Sequence, residues 1–238
     1  MKLLSVIISL LFLVVPVVIF ADSVQVYDTF DNPSLPGWMK VSGNWQIING
    51  RLVQTDVNEK MAMITIPVHQ SGKILYQFDF KYVKGAEDDY AGFGIHICVN
   101  NPSKKRSWGN GKSVLGWITW DPKHYGYPGL FVQVYKSDSS TDMVLFPGLF
   151  PNPSPLVAGD MYPIRDEYLN PDYLNYTIPV KILIDTKTGK GKFYDPANPD
   201  KYYFSFDLGA PIRSGDYFSF RTNSVSVSID NLKITEVY

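Results

Sequence analysis

Cysteine is nearly missing from this chain: Cys98 is the only one in 238 residues, which excludes an intrachain disulfide. A folded domain of this composition must rest on its core or on a bound metal ion. Histidine is almost as scarce, and His69, His96 and His124 fall on unrelated segments, which argues against a transition-metal centre. Glutamate is confined to Glu59, Glu87, Glu167 and Glu236, no two of them close in sequence. Net charge is lacking too. At −1 the chain exerts no long-range pull on nucleic acid or acidic lipid, so neither is expected as a partner. Beyond residue 21 there is no amphipathic helical period.

One long apolar run is present, at the start. Met1-Lys2 leads into an almost unbroken apolar stretch ending at Ala21, before the polar Asp22-Ser23. That layout predicts a secretory signal peptide over residues 1–21 and a secreted or periplasmic product. The run is longer than the usual apolar region of a signal, so an uncleaved N-terminal membrane anchor is the alternative. Pro16 would kink such a helix without forbidding it. No cysteine stands near the cleavage point, which excludes a lipoprotein. Residues 22–238 suit a single β domain, since sandwiches and barrels often run to this length as one unit.

Aromatic residues make up 15% of the chain, with tyrosine the commonest, which fits packed sheets with amphipathic surfaces. Short alternating segments bounded by Gly, Pro, Asn and Asp give an all-β reading. Strands are predicted at 44–48 and 51–54 around Asn49-Gly50, a strong two-residue hairpin signal. A third is expected at 61–66, stopped by Pro67. The segment 73–83 is the clearest: Tyr76, Phe78, Phe80 and Tyr82 share one face, and Leu75, Gln77, Asp79 and Lys81 the other. In 91–99, Phe93, Ile95, Ile97 and Val99 alternate with Gly92, Gly94, His96 and Cys98. Further strands are expected at 114–120, 130–135, 177–185, 191–194, 202–208, 217–222 and 225–237, with a turn at 186–189. Residues 100–112 read as a polar, basic loop. Residues 137–175 carry six prolines and read as a long loop insertion packed over one edge or face.

Two end signatures stand out. The chain opens with Phe30-Asp31, Gly37-Trp38 and Gly43-Asn44-Trp45 running to Gly50-Arg51-Leu52. It closes with Gly215-Asp216-Tyr217-Phe218-Ser219-Phe220 and Ile229-Asp230-Asn231-Leu232, after a strand–turn–strand unit around Gly189. Together they resemble the concanavalin A-like lectin/glucanase superfamily, which includes laminin G-like modules and coat proteins. The resemblance implies a two-sheet antiparallel jelly-roll β-sandwich. It does not imply one activity, because this fold carries many. A glucanase of this kind places two Glu within about five residues on one strand, at the separation glycoside hydrolysis needs. The four glutamates here cannot supply that pair, so the resemblance points away from family-type hydrolysis.

Candidate site residues follow from the alternation. If the aromatic rows form the core, Gln77, Asp79 and His96 point outward from consecutive strands, with Gln133, Tyr135, Ser219 and Arg221 joining them on one sheet. Planar polar groups of this kind suit sugar hydroxyls, and Asp79–His96 is the candidate acid–base dyad. The competing reading is a solvated polar face with one hydrogen-bonded histidine. Trp108, Trp117, Trp120, Tyr125, Tyr127 and Phe131 form a dense aromatic run. Trp108, Trp120, Tyr125 and Tyr127 are candidate stacking platforms, and the alternative is that the run caps the sandwich. Gly109-Asn110-Gly111-Lys112-Ser113 fails as a phosphate loop, because Arg106 stands where the first glycine is needed and a strand follows. Relatives by resemblance often hold a structural Ca²⁺ near joined termini, which makes Asp28, Asp31 and Asp230 the positions to test. Cys98 and His96 are expected on one face of a strand, about 7 Å apart and too far for proton transfer.

Three functional readings result. The first is a secreted or periplasmic, non-catalytic binder of glycan or another cell-envelope component. The second is a structural coat or sheath subunit of an envelope or flagellar assembly, with self-assembly through edges and aromatic loops. The third is a sugar hydrolase resembling those of unknown-function domains that share the opening signature.

Overall fold

The computed structural model describes residues 21–85, 91–102, 112–121, 129–137, 143–146, 162–163, 177–196, 198–212 and 215–238. They form sixteen strands and, among the described residues, no helix. The first eight are β1 (Ser23–Asp28), β2 (Met39–Ser42), β3 (Trp45–Ile48), β4 (Arg51–Gln54), β5 (Ala62–Pro67), β6 (Lys73–Gly85), β7 (Gly92–Val99) and β8 (Ser113–Asp121). The rest are β9 (Gly129–Ser137), β10 (Val144–Phe146), β11 (Tyr162–Pro163), β12 (Ile178–Asp185), β13 (Lys190–Asp195), β14 (Asn198–Asp207), β15 (Tyr217–Asn223) and β16 (Val225–Val237). All twelve expected strands are present. Four more were not expected: β1, β2, and the short β10 and β11, which pair with β9 inside the segment read as an insertion loop.

The strands make two antiparallel sheets. Sheet A runs β14-β13-β12-β6-β16-β4-β3, with β1 also paired to β16. Sheet B runs β10-β9-β8-β7-β15-β5-β2, with β11 on β9. This is a jelly-roll sandwich, and its first and last strands are neighbours, Ser23 opposite Glu236 and Asp28 opposite Leu232. The Asn49-Gly50 hairpin is as expected: both residues have positive φ, 53° and 70°, and Ile48 pairs with Arg51 across them. Gly189 closes the β12–β13 turn at φ 77°, where its amide donates to the Asp185 carbonyl at 2.8 Å.

The core lies between the sheets and is built on the aromatic face of β6. Tyr76 stacks on Phe218 at 5.7 Å, Phe78 meets Phe220 edge-on at 5.2 Å, and Phe80 stacks on Phe93 at 4.2 Å. Each pair spans from sheet A to sheet B, so the alternation of one strand fixes how the layers interlock. Buried Gln70 is one of the polar residues of this interior. It accepts from the Tyr76 hydroxyl at 2.9 Å and donates to the Tyr217 carbonyl at 3.0 Å.

β7 departs from simple alternation. Ser219 faces His96 and Tyr217 faces Val99, so two residues of β7 oppose one of β15. Cys98 takes φ 52° in this bulge, and its side chain joins the core beside Ile97. The expectation that Cys98 shares a face with His96 is therefore corrected. Burial pushes the Cys98 thiol up to about 12, which makes it inert.

Candidate functional site

The proposed polar constellation is divided by the fold. β6 pairs with β12 and β16 in sheet A, whereas β7, although next in sequence, lies in sheet B between β8 and β15. Gln77 and Asp79 thus point outward on one side of the sandwich, and His96, Gln133, Ser219 and Arg221 on the other. Two packed sheets stand about 10 Å apart, so an Asp79–His96 dyad is geometrically excluded.

The sheet B group is not a solvated face either. His96, Ser219 and Thr65 are fully buried, as are Arg221 and Trp117 to within 2%. All eight residues of β7 are buried, so this strand is covered on both faces. Glycines make room there: a Cβ on Gly92 would lie 2.7 Å from Trp117 Nε1, and one on Gly94 would lie 2.1 Å from the Gly116 carbonyl oxygen. Buried polar groups need partners, and several are found within the group. The Thr65 and Ser219 hydroxyls bond to each other, and Tyr135 donates to Gln133 Oε1 at 3.0 Å. His96 Nε2 lies 2.6 Å from Ser113 Oγ, and Arg221 Nη1 lies 3.3 Å from His96 Nδ1.

The Ser113–His96 contact looks nucleophilic but is not. A guanidinium only donates, so Nδ1 must accept, and the ring proton sits on Nε2, facing Ser113. An imidazole that already donates to the hydroxyl cannot take its proton. Burial, reinforced by the Arg221 charge, holds His96 well below the ordinary imidazole range. Burial likewise brings Arg221 down to about 10. The group is a neutral-histidine, buried-arginine network that joins β7, β8 and β15.

Sheet A carries the open site. A groove of about 320 Å³ on its outer face is lined by Tyr27, Gln77, Asp79, Lys181, Tyr194, Asn231 and Lys233, among others. Five strands place these side chains together. Tyr27 of β1 pairs with Lys233 of β16, Lys233 with Gln77 of β6, and Gln77 with Lys181 of β12. Lys181 Nζ then lies 4.5 Å over the Tyr194 ring of β13 and donates to the Pro199 carbonyl at 3.0 Å. Tyr194 pairs with Tyr202 of β14, over whose ring Lys192 Nζ lies at 4.5 Å.

Asp79 sits two residues along β6 from Gln77, at the next outward position. Its Oδ2 accepts from Asn231 Nδ2 at 2.8 Å. Asn231 reaches it because β16 bulges between Asp230 and Lys233, with Asn231 at φ 52°. The carboxylate and amide form a hydrogen-bonded pair in the groove lining, which Tyr27, 67% exposed, also shares. Such a groove offers donors and acceptors for hydroxyls and an aromatic face for a ring. Asp79 and Asp230 are cross-strand partners, but each is already engaged, Asp230 by Arg51 at 3.0 Å and Asp79 by Asn231.

Of the ligand-binding expectations, Gln77 and Asp79 lie in this groove, while His96, Gln133 and Arg221 lie in the buried network. Trp108, Tyr125 and Tyr127 lie outside the described residues, and Trp120 is placed in β8 without a described side chain. Tyr27, Lys181, Tyr194, Asn231 and Lys233 were missed, because no local pattern marks residues that converge from separate strands.

The carboxylates considered for Ca²⁺, Asp28, Asp31 and Asp230, each have partners within the chain. Asp28 accepts from the Phe30 amide and from Trp38 Nε1, both at 2.8 Å. Asp31 accepts from the Thr29 hydroxyl at 2.7 Å. Asp230 is held by Arg51 and takes the Asn231 amide at 2.8 Å. Calcium needs several oxygens converging on one point. Among the described residues no three His, Cys, Asp or Glu side chains are grouped to hold a metal ion.

No protein-family model matches the sequence, and no curated protein matches it. Solved structures do. A legume lectin-like domain from Entamoeba histolytica superposes with a TM-score of 0.60 at 10% identity, over 89% of this chain and 96% of that one. A Bauhinia forficata lectin in complex with GalNAc gives 0.55 at 14% identity, over 91% and 98%. The carbohydrate-binding module CBM66 from Bacillus subtilis gives 0.51 at 13% identity, over 82% and 93%. At these identities the likeness is one of fold, and the fold is the concanavalin A-like jelly-roll sandwich.

Proposed function

We propose that this protein is an exported, non-catalytic glycan-binding sandwich whose ligand lies in the outer groove of sheet A. The carrying observation is the convergence of Tyr27, Gln77, Lys181, Lys233 and the Asp79–Asn231 pair on one open groove. An exposed tyrosine beside planar hydrogen-bonding groups is the chemistry that grips a sugar ring and its hydroxyls. Solved neighbours named as a carbohydrate-binding module and a GalNAc-bound lectin support the same ligand class. The leader-like residues 1–21 support placement outside the cytoplasm, where envelope glycans are the accessible partners. A hydrolytic role lacks support: the Ser113–His96 contact has its proton on the wrong nitrogen, and the Asp79 and Asp230 carboxylates are committed to Asn231 and Arg51.

The test is a glycan-array screen of the purified chain, expressed with its own leader. Selective binding is expected, falling about tenfold or more in Tyr27→Ala and in Asp79→Ala, in line with loss of one stacked ring or one charged hydrogen bond. Thermal melts of both variants should stay near that of the parent, since Tyr27 is exposed and Asp79 is only half-buried, on the outer face of the sheet. Absence of any glycan binding, with elution as large assemblies, would reject this reading in favour of a coat subunit.

A further inference from the structure

Resting on the glycan-binding reading, we infer that the groove takes an internal stretch of an extended, β-1,4-linked chain lying across the strands, rather than a chain end or a single sugar. The inference comes from the row itself. Tyr27, Lys233, Gln77 and Lys181 are successive cross-strand partners on one face, and Lys181 hands over to Tyr194 and Tyr194 to Tyr202. Each step is one strand. From Tyr27 to Tyr194 there are four steps, roughly 19 Å, at the usual spacing between neighbouring strands.

A β-1,4-linked pyranose chain is flat and advances by about one strand spacing per sugar. It can therefore set one residue over each strand in turn, with equatorial hydroxyls directed at Lys233, Gln77 and Lys181. A strongly bent or helical chain would leave the row after one or two contacts. The row also spans the sheet from edge to edge, because at this level β1 is the outermost strand on one side and β14 on the other. Both terminal tyrosines are exposed, Tyr27 at 67% and Tyr202 at 39%, so the chain can continue past either of them. A site for a terminal sugar would instead close around one end.

The experiment measures affinities of cello-, xylo- and chito-oligosaccharides of one to eight residues for the purified chain, by calorimetry. For at least one series, affinity should rise tenfold or more from the disaccharide to the tetrasaccharide and level off near the hexasaccharide. In Tyr27→Ala the rise should be blunted, because the outermost contact is lost. A mono- or disaccharide that binds as tightly as the hexasaccharide overturns the inference and leaves glycan binding intact. So does failure of all three series alongside selective array binding of another glycan. If no glycan binds in either assay, the functional reading fails with it.

Discussion

His96 is the residue where burial and chemistry meet most sharply. It is fully enclosed, donates from Nε2 to Ser113 and accepts at Nδ1 from Arg221, so the folded protein holds it neutral. Its proton affinity is lower in the folded than in the unfolded chain, first through burial and then through the Arg221 charge. The unfolded state therefore binds more protons once the pH drops below the ordinary imidazole value of about 6.5. The stability this neutral form contributes is fully present above that pH and is lost progressively below it. Urea unfolding between pH 7.5 and 5 should show the parent losing stability more steeply than His96→Gln, by up to about 1.4 kcal/mol per pH unit. Glutamine can still donate and accept at the two ends, so the comparison isolates the titration. Parallel curves for the two proteins would mean that His96 is not held neutral by its surroundings.

Among the elements, β16 has the most demanding position. It pairs with β6 along most of its length and with β4 and β1 on its other side. Arg51, from β4, ties this seam together. Its Nη1 pairs with Asp230 at 3.0 Å, its Nε donates to Ser228 Oγ at 3.0 Å, and its Nη2 reaches the Ser228 and Asp79 carbonyls at 3.3 and 3.4 Å. Arg51→Ala should cost about 2 kcal/mol, and Arg51→Lys should recover only part, because an ammonium cannot make the forked contacts. Chemical denaturation reads both, and an alanine variant within about 0.5 kcal/mol of the parent would show the seam to be held by its backbone ladder alone. The seam also shows what was legible beforehand. Alternation in β6 revealed which side chains face the core and put Gln77 and Asp79 outside, because a period of two is a local property. It could not reveal that β7 crosses to the other sheet, since pairing partners are set by distant contacts. β1 was hidden because its apolar residues are not a core stripe: Val24 and Tyr27 are exposed, and a register shift between Val24 and Val26 breaks the pattern. The bulges at Cys98 and Asn231 were equally silent, although one sends a thiol into the core and the other aims an amide at Asp79.

At the scale of the whole molecule, stability rests on one aromatic core clamped between two sheets, with no disulfide to close any loop. Cys98 sits inside that core, at the bulge where Gln70 Oε1 takes its amide at 3.4 Å and Gly215 donates to its carbonyl at 3.2 Å. The thiol cannot be reached unless β7 parts from β15, and those strands anchor the sheet B half of the aromatic stack. Exposure of Cys98 and loss of the core should therefore be one event, as expected for a cooperative single sandwich. In native buffer the thiol should resist an aromatic disulfide reagent. Its labelling should quicken with urea in step with tyrosine fluorescence, and the opening free energy from labelling should match that from equilibrium unfolding. A labelling free energy several kcal/mol below the global value would mean that the β7–β15 seam opens by itself. Reducing agent should leave the melting temperature unchanged, because the lone thiol closes no loop within the chain.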